Sequence, residues 1–123
     1  MASKHPPPED FLPLKQHSLH VLIAVAADER HGYAIRKDVE RRSEGRIRLW
    51  PTTLYRTISE LLDAELLEDD PASDPEKDDR NRKLYRITGL GRQVLAAEVA
   101  RLESVVRDVR RLADLLDPEG GTA

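Results

Sequence analysis

The stretch Trp50-Pro51-Thr52-Thr53-Leu54-Tyr55-Arg56-Thr57-Ile58-Ser59-Glu60-Leu61-Leu62 decides the fold. Pro51 suits the first turn of a helix, where a missing N–H loses nothing. Leu54, Ile58, Leu61 and Leu62 then fall at i, i+4, i+7 and i+8, a single apolar stripe. The other face presents Thr52, Thr53, Tyr55, Arg56 and Ser59 close to the helix start. Short hydrogen-bonding side chains and an Arg at a helix N-terminus suit insertion into a major groove. Hydroxyls at a helix start also serve as caps, so this segment alone leaves an ordinary solvated face equally open.

Composition narrows the choice. At 123 residues the chain makes one domain, or one small domain with an oligomerisation arm. Aromatics are 4% and charged residues 35%, so the core is small and aliphatic, which favours a partner subunit completing it. The absence of cysteine excludes disulfides, thiolate zinc sites and a cysteine nucleophile. The longest apolar run, residues 21–27, is far short of a membrane span, and no basic-then-apolar leader is visible. A cytoplasmic protein without a membrane partner is expected. There is no Gly-rich phosphate loop, no framed Ser–His–acid pattern and no paired carboxylates on a rigid element, so an enzyme is not expected. No catalytic residue, cofactor or metal is assigned. His17 and His20 stand at i and i+3, but no cysteine or nearby carboxylate completes a metal set.

The net charge of −3 at first argues against nucleic acid, but its distribution matters more. Residues 68–79 hold seven acids and one lysine, a net of −6, so the remainder of the chain carries +3. Arg80, Arg82, Lys83 and Arg86 follow at once. The acidic run is expected to be a solvated loop.

Working outward along the chain, Pro6-Pro7-Pro8 marks residues 1–10 as a disordered or extended tail. A helix is predicted from about Leu14, with Leu19, Leu22, Ile23 and Ala26 as its stripe and Val25 beside it. Residues 28–32 break it. A second helix over 33–42 has Ile35 and Val39 inward and a charged outer face of Arg36, Lys37, Asp38, Glu40, Arg41 and Arg42. Ile47 and Leu49 alternating with Arg46 and Arg48 allow a very short strand. The helix from Pro51 extends to about Glu65. Residues 66–68 and 83–87 read as two strands joined by a Pro- and Asp-rich loop. Trp50 is expected to pack under the third helix or against the first short strand, with ligand stacking the lesser alternative, and Tyr85 to pack in its strand. From Thr88, a plausible N-cap, a last helix carries Leu95, Val99, Leu102, Val106, Val109, Ala113 and Leu116 in a heptad seam, widened by Val105 and Leu112. That seam calls for a long partner, most simply its own copy. The fold class is mainly α (α+β), a winged helix-turn-helix with a coiled-coil-like dimerisation helix. Its parts are a tail at 1–10, the winged domain at 11–88, the dimerisation helix at 89–117 and a flexible tail at 118–123.

Three segments carry a family resemblance: His31-Gly32-Tyr33-Ala34-Ile35, Pro51-Thr52-Thr53-Leu54-Tyr55, and Arg82-Lys83-Leu84-Tyr85-Arg86-Ile87-Thr88-Gly89-Leu90-Gly91-Arg92. In their order and spacing the chain resembles PadR-type winged-helix transcriptional regulators, of the short form with one C-terminal dimerisation helix. It departs from them at Ala64-Glu65, where the family commonly has Gly. The resemblance implies a homodimer that binds double-stranded DNA at a pseudo-palindromic operator, usually represses, and is often released by a small aromatic or drug-like effector. The implied DNA contacts are Thr52, Thr53, Tyr55 and Arg56 from the third helix, Tyr33 and Lys37 from the second, and Arg80, Asn81, Arg82 and Lys83 from the wing. The net negative charge and acidic wing keep a second reading open, a winged-helix dimer acting through protein–protein contacts with little DNA affinity.

Overall fold

The computed structural model describes residues 6–73 and 83–117. After a 3-10 turn, Pro8–Phe11, come α1 (Gln16–Ala27), β1 (Arg30–His31), α2 (Gly32–Arg42), α3 (Pro51–Asp63), β2 (Leu67–Asp69), β3 (Leu84–Ile87), α4 (Gly89–Arg110) and α5 (Ala113–Leu116). The strands form one antiparallel sheet in the order β1-β3-β2. Arg30 lies opposite Tyr85 and Leu67 opposite Ile87. This is the winged helix-turn-helix that the sequence predicts.

The core is built around α1, which touches α2, α3, β3 and α4. A helix enclosed on several sides is apolar nearly all round. The predicted stripe is therefore displaced: Val21, Leu22, Ala24 and Val25 are buried, while Leu19, Ile23 and Ala26 are half-buried. Ile35 and Val39 of α2, Leu54, Ile58 and Leu61 of α3, Tyr85 and Ile87 of β3, and Val94 of α4 close around it. Tyr85 packs as expected.

The end of α3 shows what replaces the family's Gly. Glu65 N–H donates to the Leu62 carbonyl at 3.0 Å and Leu66 N–H to Leu61 at 2.9 Å. These two bonds make a Schellman ending, with Glu65 in the left-handed region at φ 62°. An L-residue there costs about 1 kcal/mol. The Glu65 carbonyl accepts the Thr88 hydroxyl at 2.6 Å, and Thr88 Oγ1 accepts the Gly91 N–H at 2.9 Å. Thr88 is thus the N-cap of α4 and ties it to the end of α3. Because the turn consumes Leu66, β2 begins at Leu67, one residue later than predicted.

Several other expectations are corrected. No strand forms at 46–49. Leu49 is buried and Ile47 half-buried with Arg46 and Arg48 exposed, but Ser43 Oγ takes the Ile47 N–H at 3.0 Å, and no strand pairs with this stretch. The third strand lies instead at Arg30–His31, inside the predicted break, where pairing with β3 holds it. The predicted tail is folded from Pro8 onward. Its 3-10 turn lies on α4, and Leu14 N–H donates to Glu98 Oε2 at 2.8 Å. Glu98 is buried at 1% exposure. Its carboxyl is held below the usual range by Arg101 and the Leu14 amide, against the upward push of burial. The dimerisation helix predicted over 89–117 is not continuous, since α4 stops at Arg110 and a turn at 111–112 precedes α5. Asp70 is not part of a solvated run: it is buried, its N–H donating to Leu84 O at 2.7 Å and its Oδ1 accepting the Ala72 N–H at 2.7 Å.

Gly91 marks the tightest approach. A Cβ there would stand 2.2 Å from the Leu66 carbonyl oxygen and 2.7 Å from Ile87 Cγ1. Because the first obstacle is backbone, Gly91→Ala is expected to cost about 2–3 kcal/mol, read as a lowered urea midpoint with an unchanged m-value. A wild-type midpoint would show that α4 does not seat against the Leu66 carbonyl in this way.

Candidate nucleic-acid interface

Pro51 opens α3 as its first residue, and the alternation of apolar and polar positions then sorts its faces. Leu54, Thr57, Ile58 and Leu61 are buried; Thr52, Tyr55, Arg56 and Ser59 are exposed. Thr57, which the sequence pattern leaves unassigned, belongs to the inner face. Thr53 is half-buried. It lines a shallow cleft with Arg56, Thr57 and Glu60 from α3 and Lys15, His17 and Ser18 from the start of α1. Lys15 Nζ reaches Glu60 at 3.8 Å across that cleft. Of the four α3 residues predicted as contacts, Thr52 and Arg56 are exposed, Tyr55 is exposed at 38% and Thr53 is half-buried. Arg56 has no ion pair among the described residues.

Tyr55 joins the two helices of the motif. The Tyr55 ring lies over Gly32, the first residue of α2, so closely that a Cβ at Gly32 would meet its hydroxyl oxygen at 2.8 Å. The neighbouring Tyr33 is 49% exposed, and Lys37 Nζ stands 5.0 Å from the centre of its ring, a cation–π distance. His31 Nδ1 lies 3.0 Å from the Lys83 carbonyl oxygen, bringing the foot of the wing to the start of α2. The structure therefore gathers Tyr55, Tyr33, Lys37 and Lys83 near one end of the motif, with Thr52 and Arg56 on the outer side of α3. Arg80, Asn81 and Arg82 lie outside the described residues.

The charged face predicted for α2 needs one correction. Asp38 is buried at 3% exposure. Arg41 Nη2 and Arg42 Nε donate to its oxygens at 2.7 and 2.6 Å, and Arg30 Nη2 lies 3.4 Å away. Burial alone would raise its pKa, but the hydrogen bonds from Arg42 and Arg41 and the charge of Arg30 outweigh that and hold it low. Since the folded value is the lower one, the stabilisation is complete above the ordinary carboxylate range and is lost as pH falls below about 4. Arg41 and Arg42 are thereby anchored. Arg86, grouped in the sequence with the basic run, donates to Glu68 Oε1 across the sheet at 2.7 Å and offers less positive charge than the sequence implies.

Sequence reasoning missed two things here. Trp50 does not pack under α3, being 63% exposed. The other is the stretch 46–56, which holds three arginines and no acid. That local count was readable, but the total of −3 obscured it. His17 and His20 belong to no group of three potential metal ligands among the described residues. Among those residues no helix is long and apolar enough to cross a membrane.

This arrangement defines a winged helix-turn-helix protein. The family model described as the transcriptional regulator PadR-like family matches residues 21–97, and the chain belongs to that family. It is a DNA-binding transcription regulator and not an enzyme. No curated protein matches it. Several solved structures share the fold. A transcriptional regulator from Clostridium thermocellum is 19% identical, with 77% of this chain and 87% of that one covered at a TM-score of 0.65. A PadR family transcription regulator from Clostridium difficile is 16% identical, with 80% and 99% covered at 0.66. A PadR-like transcriptional regulator from Bacillus cereus is 18% identical, with 78% and 89% covered at 0.63.

Gly32→Ala tests how Tyr55 is placed. The obstructing atom is the far end of a side chain, so thermal stability is expected to change by less than about 1 kcal/mol. The Tyr55 ring should swing outward, seen as shifted ring resonances. Unmoved resonances would show that Gly32 does not set the ring's position.

Proposed function

We propose that the protein is a cytoplasmic homodimeric repressor that places α3 of each subunit in a major groove of a pseudo-palindromic operator. The observation that carries this reading is the free face of α3. Thr52, Tyr55 and Arg56 stand exposed near its N-terminus, and Arg56 is not neutralised within the described chain. Thr52, Thr53, Tyr55 and Arg56 address bases and phosphates. Tyr33 and Lys37 hold the backbone beside them, and Arg80, Asn81, Arg82 and Lys83 follow the flanking groove. With a two-fold axis, the half-sites lie about 34–36 Å apart.

Dimerisation is supported by α4. Val99, Leu102, Val105, Val106 and Val109 are exposed along it, an apolar stripe that a second copy would cover. Ala113 and Leu116 are exposed on the separate α5. Leu95 instead packs against the core of its own chain, so the seam begins at Val99. Release by a small aromatic or drug-like effector follows from the family resemblance.

Selection of bound fragments from the source genome, followed by mobility shift, tests the reading. Binding is expected to weaken steeply with salt. Arg56→Ala should weaken operator binding, lower the salt slope by about one and leave the dimer intact; unchanged affinity would remove its assigned role. Val106→Asp should give monomers or aggregates in sedimentation, and an undisturbed dimer would refute the seam. A folded dimer that retards no duplex at any salt would favour the protein-contact reading instead.

A further inference from the structure

Trp50 is the most exposed large hydrophobic side chain among the described residues, at 63%, yet its backbone is firmly held. It is the residue before α3, at φ −64° and ψ 152°, and its carbonyl accepts the Leu54 N–H at 2.8 Å. Pro51 behind it restricts it further to extended backbone. The indole thus stands in water on a rigid stem, ready to contact something without an ordering penalty in the main chain.

Its neighbours along the chain indicate the partner. Arg46, Arg48 and Arg56 flank Trp50 with no acid between residues 46 and 56. Arg46 and Arg56 have no ion pair among the described residues, and Arg48 reaches Glu40 only at 3.8 Å. A second copy of this chain docking here on the same patch would set arginines against arginines. A nucleic-acid backbone offers instead phosphates for the arginines and an indole N–H, and apolar sugar faces for the ring. The patch is also continuous in sequence with the free face of α3.

We propose that Trp50 is a DNA-backbone contact. Its ring rests on deoxyribose at the lip of the groove that α3 enters, and its indole N–H donates to a phosphate. Such a contact seats the helix and carries no sequence information of its own. The inference rests on the groove insertion proposed above and adds the contact that fixes its depth.

The chain has one tryptophan, so its emission reports this residue alone. Titrating the wild-type protein with operator duplex, and separately with random duplex at low salt, should change that emission in both cases. Trp50→Ala should weaken binding to both duplexes by roughly tenfold, with the salt slope unchanged because no charge is lost. Trp50→Phe, which keeps a ring without the N–H, should fall between. Far-UV circular dichroism and sedimentation of each variant confirm fold and dimer, and the wild-type emission needs no variant. Unchanged emission at DNA saturation, or wild-type affinity in Trp50→Ala, overturns the proposal while leaving the regulator reading intact. Emission that follows subunit dilution without DNA also overturns it, assigning Trp50 to a contact between copies. If the wild type retards no duplex, both readings fall together.

Discussion

Val21, Leu22, Ala24 and Val25 give α1 side chains that must be hidden on several sides at once, and four other elements hide them. Burying each of the larger ones is worth about 1.5–3 kcal/mol. The same helix thereby sets the directions of α2 and α3, of the wing through β3, and of α4. The helix proposed to read DNA and the helix proposed to join two subunits are both referenced to it. Their relative orientation, which in the proposed dimer decides where its two copies of α3 meet a duplex, is a consequence of how one small core closes.

A second set of contacts keeps those directions from slipping. Thr88 ties the end of α3 to the start of α4 through two hydrogen bonds, and Gly91 lets the first turn of α4 lie directly on the Leu66 carbonyl. From the other side, buried Glu98 receives the Leu14 amide and holds the N-terminal segment along α4. The first part of α4 is thus committed to its own domain. The part beyond Val99 leaves its apolar side in water.

The charge pattern shows how an acidic chain can present a face suited to a polyanion. Acids and bases are paired where they serve the fold. Asp38 is surrounded by Arg30, Arg41 and Arg42, Glu98 is bound by Arg101, and Glu68 is bound by Arg86. Arg46 and Arg56, near or on α3, are left out of such pairs among the described residues. Field at a surface depends on where unneutralised charges stand, and a negative total does not describe it.

Much of this was legible from residue order alone. The stripe of Leu54, Ile58 and Leu61, the Pro51 start, the Thr88 cap and the class of fold follow from local rules of period and capping, which act within a turn or two. The exposed side of α3 follows from the same period. Other features depended on distant neighbours. The enclosure of α1 changed which of its residues are buried, and β1 formed at Arg30–His31 because β3 lies there to pair with it. Asp38 turned inward because three arginines converge on it, and Glu65 took a left-handed conformation that its residue type does not favour. Trp50 stayed in the solvent, while its neighbour Leu49 is the residue of that loop that enters the core. Local sequence specifies which faces are apolar; only the packed chain decides which of those faces meet a partner within it.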